Sequence, residues 1–469
     1  MRNFFEKNIT ALKRQLANTE VQNHLASTIK VLTTPSGDIS ARYESVLLHS
    51  SYDPFKEARV LAKNVKPRGR IFLYGLGLGY HVEAILDEIG LDGQLIIIEL
   101  NPDILSAALI LRDLSKLILD PRTFWVYGSN EVKVAELMAH HMDSAQAGAK
   151  SGNLDVIFHS PSLKCIPQKF ERITNALEVL QIERRVPAIF GSLEAKNREL
   201  NEDIIRKSQG LISLRGKNRD KPAFMISAGP SLDDALPFLH LILEKAIVAC
   251  VDTAYSALLD RGIYPDYVFS LDPQDESFNF FRRYLDKNLN LVFTPTSNAK
   301  VVRFVTGKKI VAFKEGKVSA QDKELADRKG MTKAGGSVSC FGVDSLIQMA
   351  CNPIILVGQD CAFTGHRTYS RSTWNEEQLS LLVCPAFTPA QAHWEKYAGK
   401  KLIPVPCYGT GMTNTNQILY SYLRNMEQLA EANPETRIYN LFPHGAKIDN
   451  IEPLRSINET LRILRRTTL

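Results

Sequence analysis

The residues whose order carries most chemistry run Phe224-Met225-Ile226-Ser227-Ala228-Gly229-Pro230-Ser231-Leu232-Asp233-Asp234. A short apolar run of strand type ends there, Gly229 permits a tight turn, Pro230 stiffens the entry, and a helix begins. Ser231 is a good N-cap, and Asp234 three residues on completes a capping-box pattern. Free backbone N–H groups at such a turn, together with the helix dipole, suit an anion such as a nucleotide phosphate. On spacing alone an ordinary capped strand–helix turn fits equally well. Later strand ends add weight to the anion reading. The run 246–251 leads into Asp252-Thr253, 267–271 into Asp272-Pro273-Gln274-Asp275, 291–294 into Pro295-Thr296-Ser297-Asn298, and 353–357 into Gly358-Gln359-Asp360. Gly335-Gly336-Ser337 precedes a helix at 338–350. In an open parallel sheet, ligands bind in the crevice beyond the carboxyl ends of the strands. Polar, small residues at four or five such ends describe a nucleotide cleft.

A second glycine-rich turn lies earlier. Gly75-Leu76-Gly77-Leu78-Gly79 follows the apolar run 70–74, and Glu99 comes twenty residues after Gly79. The G-x-G-x-G spacing fits dinucleotide binding less well than G-x-G-x-x-G does. It resembles the adenosine-binding corner of S-adenosylmethionine methyltransferases, with glycines for a close turn and an acid for ribose hydroxyls. No methyltransferase motif follows downstream, so a structural Rossmann-like module is the preferred reading. Gly75, Gly77, Gly79 and Glu99 are carried forward as a second candidate cleft.

The elements that must position these residues are of α/β type. The 469 residues exceed one typical domain, so two or three are expected. The expected divisions are a helical N-terminal segment 1–65, a Rossmann-like domain 66–162, a helical linker 163–220, a catalytic α/β domain 221–412 and a mainly helical region 413–469. Residues 4–20 and 40–63 read as amphipathic helices with a loop at 33–38 between them, and 80–90 as a helix between two strands. Helices are expected at 232–245 and 254–261. The last region carries one expected strand, near 437–440. Hydrophobic residues at 44% and charged residues at 23% exclude a disordered or coiled-coil chain. A net charge of +6 is too thin for a nucleic-acid footprint and suits a small anionic substrate. The seven cysteines include no C-x-x-C pair and lie mostly in apolar runs, which reads as reduced core thiols in a cytoplasmic protein. No apolar stretch is long enough to span a membrane, and the N-terminus lacks a signal peptide's apolar centre.

The succession Gly229-Pro230-Ser231-Leu232, Val251-Asp252-Thr253-Ala254, Ser270-Leu271-Asp272-Pro273-Gln274, Gly335-Gly336-Ser337-Val338-Ser339 and Asn352 to Asp360 is similar to the motility-associated factor (Maf) family of flagellin glycosyltransferases. That family shares a catalytic domain with 6-hydroxymethylpterin diphosphokinases and looks like bacterial sialyltransferases. The resemblance extends from Leu48-His49-Ser50-Ser51-Tyr52-Asp53-Pro54 through the glycine-rich turn to Gly445-Ala446-Lys447-Ile448. It implies a Rossmann-like N-terminal domain followed by a sialyltransferase-like α/β nucleotide-binding domain with a helical tail. The implied activity is transfer of a nonulosonic acid, of pseudaminic or legionaminic type, from a CMP-sugar to Ser or Thr of flagellin.

Residue roles follow from the same resemblance. Gly229, Pro230, Ser231 and Gly358 would face the nucleotide. Asp252 and Asp272 stand where sialyltransferases use asparagines, which implies ribose binding or a divalent cation between carboxylate and phosphate. Gly336 and Ser337 would hold the α-phosphate, and Asp360 would order the loop after it or contact the nucleotide. The base would be His393, 33 residues after Asp360, or His366, with His444 a third candidate. Tyr369 replaces the histidine of the K-T-H-A segment usual in the family, and Arg367 suits a carboxylate or phosphate. A metal requirement stays undefined. Competing readings are a diphosphokinase of a pterin-like alcohol, with Asp252, Asp272 and Asp275 holding magnesium, and a non-catalytic flagellin-binding protein.

Overall fold

The computed structural model describes residues 3–16, 21–63, 65, 67–148, 154–244, 246–284, 289–333, 336–381, 391, 393 and 402–467. The chain divides into two compact units, 1–181 and 182–469, and the helix Glu171–Leu200 carries it across the boundary.

The first unit opens with the helix Phe5–Gln15, then a three-stranded antiparallel sheet of β1 (Ile29–Thr33), β2 (Ile39–Tyr43) and β3 (Val46–Leu47). The expected helix over 40–63 is therefore two short strands followed by a helix, Pro54–Ala62. The loop chemistry at 33–38 is the turn of a hairpin, with Gly37 at φ +85. Asp53 caps the Pro54 helix by accepting the Lys56 N–H at 2.8 Å. A four-stranded parallel sheet follows, of β4 (Arg70–Tyr74), β5 (Gln94–Ile98), β6 (Thr123–Val126) and β7 (Leu154–Phe158), in the order β6-β5-β4-β7. From β4 the chain steps through β5 and β6 on one side, whereas β7 lies on the other. The switch point of this sheet is between β4 and β7.

The second unit is built on a nine-stranded, wholly parallel sheet. Its early strands are β8 (Gln209–Gly210), β9 (Ala223–Ile226), β10 (Ile247–Val251), β11 (Tyr267–Ser270), β12 (Leu291–Phe293) and β13 (Lys309–Val311). β14 (Phe313–Lys314) pairs with β15 (Met331–Thr332) outside it. β16 (Ile354–Val357) returns to the large sheet. β17 (Ile403–Pro406) and β18 (Met412–Thr415) form an antiparallel pair, and β19 (Ile438–Leu441) and β20 (Glu452–Leu454) complete the sheet edge. The order is β20-β19-β16-β9-β10-β11-β12-β13-β8. The last region thus holds three strands beside its helices, not one.

β9 and β16 are buried along their whole length, as a parallel sheet covered on both faces requires. The helix Val338–Gln348 packs across β9, β10 and β11. Gly342 permits that approach, because a Cβ there would stand 2.4 Å from the Met225 sulfur. The expected continuous helix 232–245 is instead broken into Leu232–Ala235, a 3-10 turn and Leu239–Ile242, with Pro237 interrupting the helical ladder. No helix among the described residues is long and apolar enough to cross a membrane.

Candidate functional site

In the large sheet the chain leaves β9 toward β10 on one side, and leaves β16 toward β19 on the other. The two strands therefore form the switch point, where a doubly wound sheet opens its ligand crevice. The turns after them are the Gly229 turn and the Gly358-Gln359-Asp360 turn. They are laced together. The Ser227 N–H donates to Val357 O at 2.8 Å and the Gly229 N–H to Gly358 O at 2.9 Å. A Cβ on Gly229 would lie 2.3 Å from Asp360 Oδ2, and one on Gly358 2.4 Å from Ser227 O. Glycine is required at both positions by close approach, and at Gly358 also by its φ of +70.

Asp360 ties this crossing together. Its Oδ2 accepts the Ser231 N–H at 3.0 Å and the Ser231 hydroxyl at 2.8 Å, and its Oδ1 accepts the Thr364 hydroxyl at 2.8 Å. Burial raises its pKa, and the Ser231 and Thr364 bonds oppose that rise. Two expectations change here. Ser231 makes no capping bond, because its hydroxyl is directed to Asp360 rather than to its own helix. The turn's N–H groups are also engaged. Those of Leu232, Asp233 and Asp234 bond to Gly229, Pro230 and Ser231 carbonyls, leaving few backbone donors for a phosphate. Asp360 thus acts as the orderer of its loop. Arg367 is paired as well, 2.7 Å from Asp233, which also accepts the Ser370 hydroxyl at 2.6 Å.

The helix Val338–Gln348 supplies a further helix start at the crevice. A helix leaves its first N–H groups without intrahelical partners, and these attract anions. Ser337 caps it through a long 3.5 Å bond from the Cys340 N–H, and Gly336 stands before it at φ +78 with open space around its Cβ direction. Gly335 lies outside the described residues. Three polar residues fix this helix against the switch point. Gln359 Oε1 accepts the Ser339 hydroxyl at 2.6 Å and the Ser227 hydroxyl at 2.8 Å. Ser227, Ser339 and Gln359 were not singled out from the sequence, although all three stand inside the motifs quoted.

Asp252 opens the helix after β10 and is 2% exposed. It accepts the Ser270 hydroxyl at 2.8 Å from the neighbouring β11, and the Thr253 N–H at 2.8 Å. Burial pushes its pKa from 3.8 to about 6, with the adjacent Asp272 carboxylate adding to the rise. Asp272 is half-buried and accepts the Gln274 N–H at 2.9 Å. Asp275 instead pairs with Lys300 at 2.6 Å and Asn298 at 2.9 Å, so it is not a spare ligand beside the other two. Tyr369 feels both Asp252 and Asp272, and burial raises its phenol.

The histidines occupy different settings. His393 is buried with its Nε2 3.3 Å from Glu376 Oε2, itself buried. His366 is exposed at φ +62. His444 lies 3.0 Å from Asp234, both more than half exposed.

In the first unit Gly75, Gly77 and Gly79 have φ of +98, +52 and +84, values that require glycine. Glu99 does not face a cleft, however. It is 2% exposed and accepts the Leu76 N–H at 2.9 Å and the Asn101 N–H at 3.0 Å. Burial raises its pKa to about 7 against those N–H bonds. The acid read as a ribose ligand therefore holds the glycine-rich loop itself. Three histidines close on that loop. His49, His81 and His159 are all buried, and each offers a ligand atom within 4.8 Å of the others. Burial depresses all three, His81 to about 4, so they are neutral imidazoles. His49 stood in a quoted motif and His81 follows the glycine turn directly. His159, 78 residues beyond His81, gave no local signal.

Comparison with known proteins follows this division. Residues 4–122 match the family described as the glycosyltransferase Maf N-terminal domain, and residues 199–366 match 6-hydroxymethylpterin diphosphokinase MptE-like. The first match puts a Maf N-terminal domain in the first unit, and the second puts an MptE-like domain in the second unit. Among the chain's relatives is an uncharacterized protein of Treponema pallidum (strain Nichols), 27% identical over 156 residues that make up 32% of this chain and 69% of that protein. A solved Maf glycosyltransferase from Magnetospirillum magneticum AMB-1 aligns over 99% of this chain and 77% of its own, at 14% identity and a TM-score of 0.46. The MptE-like match spans both switch-point turns and Asp252, Asp272 and Ser337, and the Maf N-terminal match holds the glycine-rich loop, Glu99, His49 and His81. His393, His444 and His159 lie beyond the matched stretches.

Proposed function

We propose that this protein transfers a nonulosonic acid, of pseudaminic or legionaminic type, from its CMP-activated form to serine or threonine hydroxyls of flagellin. The match of residues 4–122 to the glycosyltransferase Maf N-terminal domain supports glycosyl transfer. The observation that carries the nucleotide part is the β9/β16 switch point, with the start of the helix Val338–Gln348 and the Asp252 and Asp272 carboxylates around it. In this reading the first-turn N–H groups beyond Ser337 bind the phosphate of CMP and stabilise its charge as the glycosidic C–O bond breaks. Asp272 receives ribose hydroxyls. Asp252 and Ser270 hold the β10 and β11 ends in register, and Ser227, Ser339 and Gln359 position the helix start. His393, oriented by Glu376, takes the proton of the acceptor hydroxyl. The protein works in the cytoplasm, on flagellin before export. A divalent cation is an optional aid to phosphate binding and no step depends on it.

The test is the intact mass of flagellin after incubation with the purified protein and CMP-pseudaminic or CMP-legionaminic acid. A mass increase of whole nonulosonate residues, lost in His393→Ala, is expected. Unmodified flagellin with both donors, combined with magnesium-dependent turnover of ATP on a pterin alcohol, would replace this reading with the diphosphokinase one.

A further inference from the structure

We propose that His49, His81 and His159 form a three-histidine site for a divalent transition-metal ion, zinc foremost, at the switch point of the first unit's parallel sheet. The three residues arrive from separate segments. His49 follows β3, His81 lies in the first turn of the helix Tyr80–Ile89 after the glycine-rich loop, and His159 follows β7. Their rings stand with centroids 4.4 to 5.4 Å apart. Such a cluster of buried imidazoles has no apolar surface to gain that a leucine would not supply better.

The outer partners set the tautomers. His49 Nδ1 faces the Glu57 carboxylate at 3.4 Å, His81 Nε2 donates to Gly75 O at 2.7 Å, and His159 Nδ1 is 2.8 Å from Ser162 Oγ. Each ring thus has one nitrogen held by a carboxylate, a carbonyl or a hydroxyl, which is the outer arrangement that metal-bound histidines use. The nitrogens left with a lone pair are His49 Nε2, His81 Nδ1 and His159 Nε2. His159 Nε2 is buried and makes no hydrogen bond of standard geometry, the Leu48 backbone acting on the ring as a weak acceptor. An unsatisfied buried nitrogen is costly unless a ligand meets it. Three neutral nitrogens suit zinc, or cobalt as its spectroscopic substitute, with a fourth position left for water or a small ligand. Donors on a tetrahedral zinc stand about 3.4 Å apart, and the atoms offered here lie within 4.8 Å of one another, so the rings close by up to about 1.4 Å. His49 Nε2 then exchanges the Leu78 N–H, now at 2.8 Å, for the ion. Gly77 allows the loop to yield, and nothing larger fits there, because a Cβ would stand 2.4 Å from His49 Nε2. The nearby Arg112 guanidinium is neutralised by both oxygens of Glu83 at 3.1 Å.

The experiment uses the full chain, stripped with a chelator and reloaded with zinc or cobalt chloride. Expected are one equivalent of zinc retained per chain after gel filtration, a rise in the unfolding midpoint on zinc addition, and a visible cobalt band of tetrahedral type. His81→Asn and His159→Asn should each lose the equivalent and the band, while the exposed His240→Asn keeps both. Glu57→Gln should weaken zinc binding about tenfold without abolishing it. If an asparagine variant fails to fold, Glu57→Gln alone still decides, since its circular dichroism and zinc affinity are read separately. Retention below a tenth of an equivalent in the unaltered chain, or full retention in His159→Asn, overturns the proposal.

Discussion

The Asp252 carboxylate gives a prediction whose size follows from its surroundings. Burial raises its pKa from 3.8 to about 6. At about 1.36 kcal/mol per pH unit, this is about 3 kcal/mol of preference for the protonated form in the folded state. Because the folded-state pKa lies above the unfolded one, this contribution is fully present below pH 3.8 and is lost as pH rises through about 6. Near neutral pH the protein therefore holds an ionised buried carboxylate at a cost. Asp252→Asn removes the charge and keeps the shape. Its amide oxygen can accept the Thr253 N–H, and its NH2 can donate to Ser270 Oγ, since a hydroxyl can reverse its role. The variant should be more stable by about 1–3 kcal/mol at pH 7.5, with the gain shrinking to under about 0.5 kcal/mol at pH 4. Amide hydrogen exchange of the β10 peptide, read at both pH values, reports the local opening free energy directly. A variant that is less stable at pH 7.5, or whose difference is the same at both pH values, refutes the reasoning.

Three further outcomes follow. Gly229→Ala places a methyl 2.3 Å from Asp360 Oδ2 and should cost about 1–3 kcal/mol in urea unfolding. Ser231→Ala takes a hydroxyl from the buried Asp360 carboxylate and should cost about 1–3 kcal/mol, with faster exchange in the 227–235 peptide. Glu99→Gln should destabilise the first unit by about 1–3 kcal/mol even though burial raises the Glu99 pKa to about 7. Its two oxygens accept backbone N–H groups of Leu76 and Asn101, which cannot reverse, so the new NH2 meets a donor. A lower thermal midpoint in Glu99→Gln beside a higher one in Asp252→Asn is the result to look for.

Strand positions in both sheets were legible from apolar runs, because buried parallel strands read as short continuous blocks. β4 and the strands β9, β10, β11, β12 and β16 fall within a residue or two of expectation. The segment 40–63 was misread because its first part, Ser40 to Leu48, alternates too briefly for a strand period to stand out from a helical one. The site was half legible. Gly229, Gly358, Asp252 and Asp360 stand at the strand ends as expected, but their roles depend on partners far along the chain. Ser231 meets Asp360 across 129 residues. No local spacing encodes such a bond, so the capping-box reading of Ser231 was reasonable chemistry with the wrong acceptor.

Both sheets resolve their glycine-rich turns in the same way, and this bears on how such turns should be read. A turn of this kind offers backbone N–H groups to an anion, and the sequence pattern does not say whose anion it is. In the first unit Glu99 takes the Leu76 N–H, and in the second Asp360 takes the Ser231 N–H. Each acid is nearly fully buried and comes from beyond a neighbouring strand. The protein's own carboxylate thus occupies the place that a phosphate holds in a nucleotide-binding loop. The consequence differs between the units. At the β9/β16 switch point the helix start at Ser337 still offers backbone donors, so an anionic ligand has somewhere to bind. At the β4/β7 switch point Glu99 and His49 together engage the glycine-rich loop, and what faces that crevice is a set of imidazole nitrogens. A cluster of that kind favours a cation over a phosphate, which separates the first unit's chemistry from that of the second.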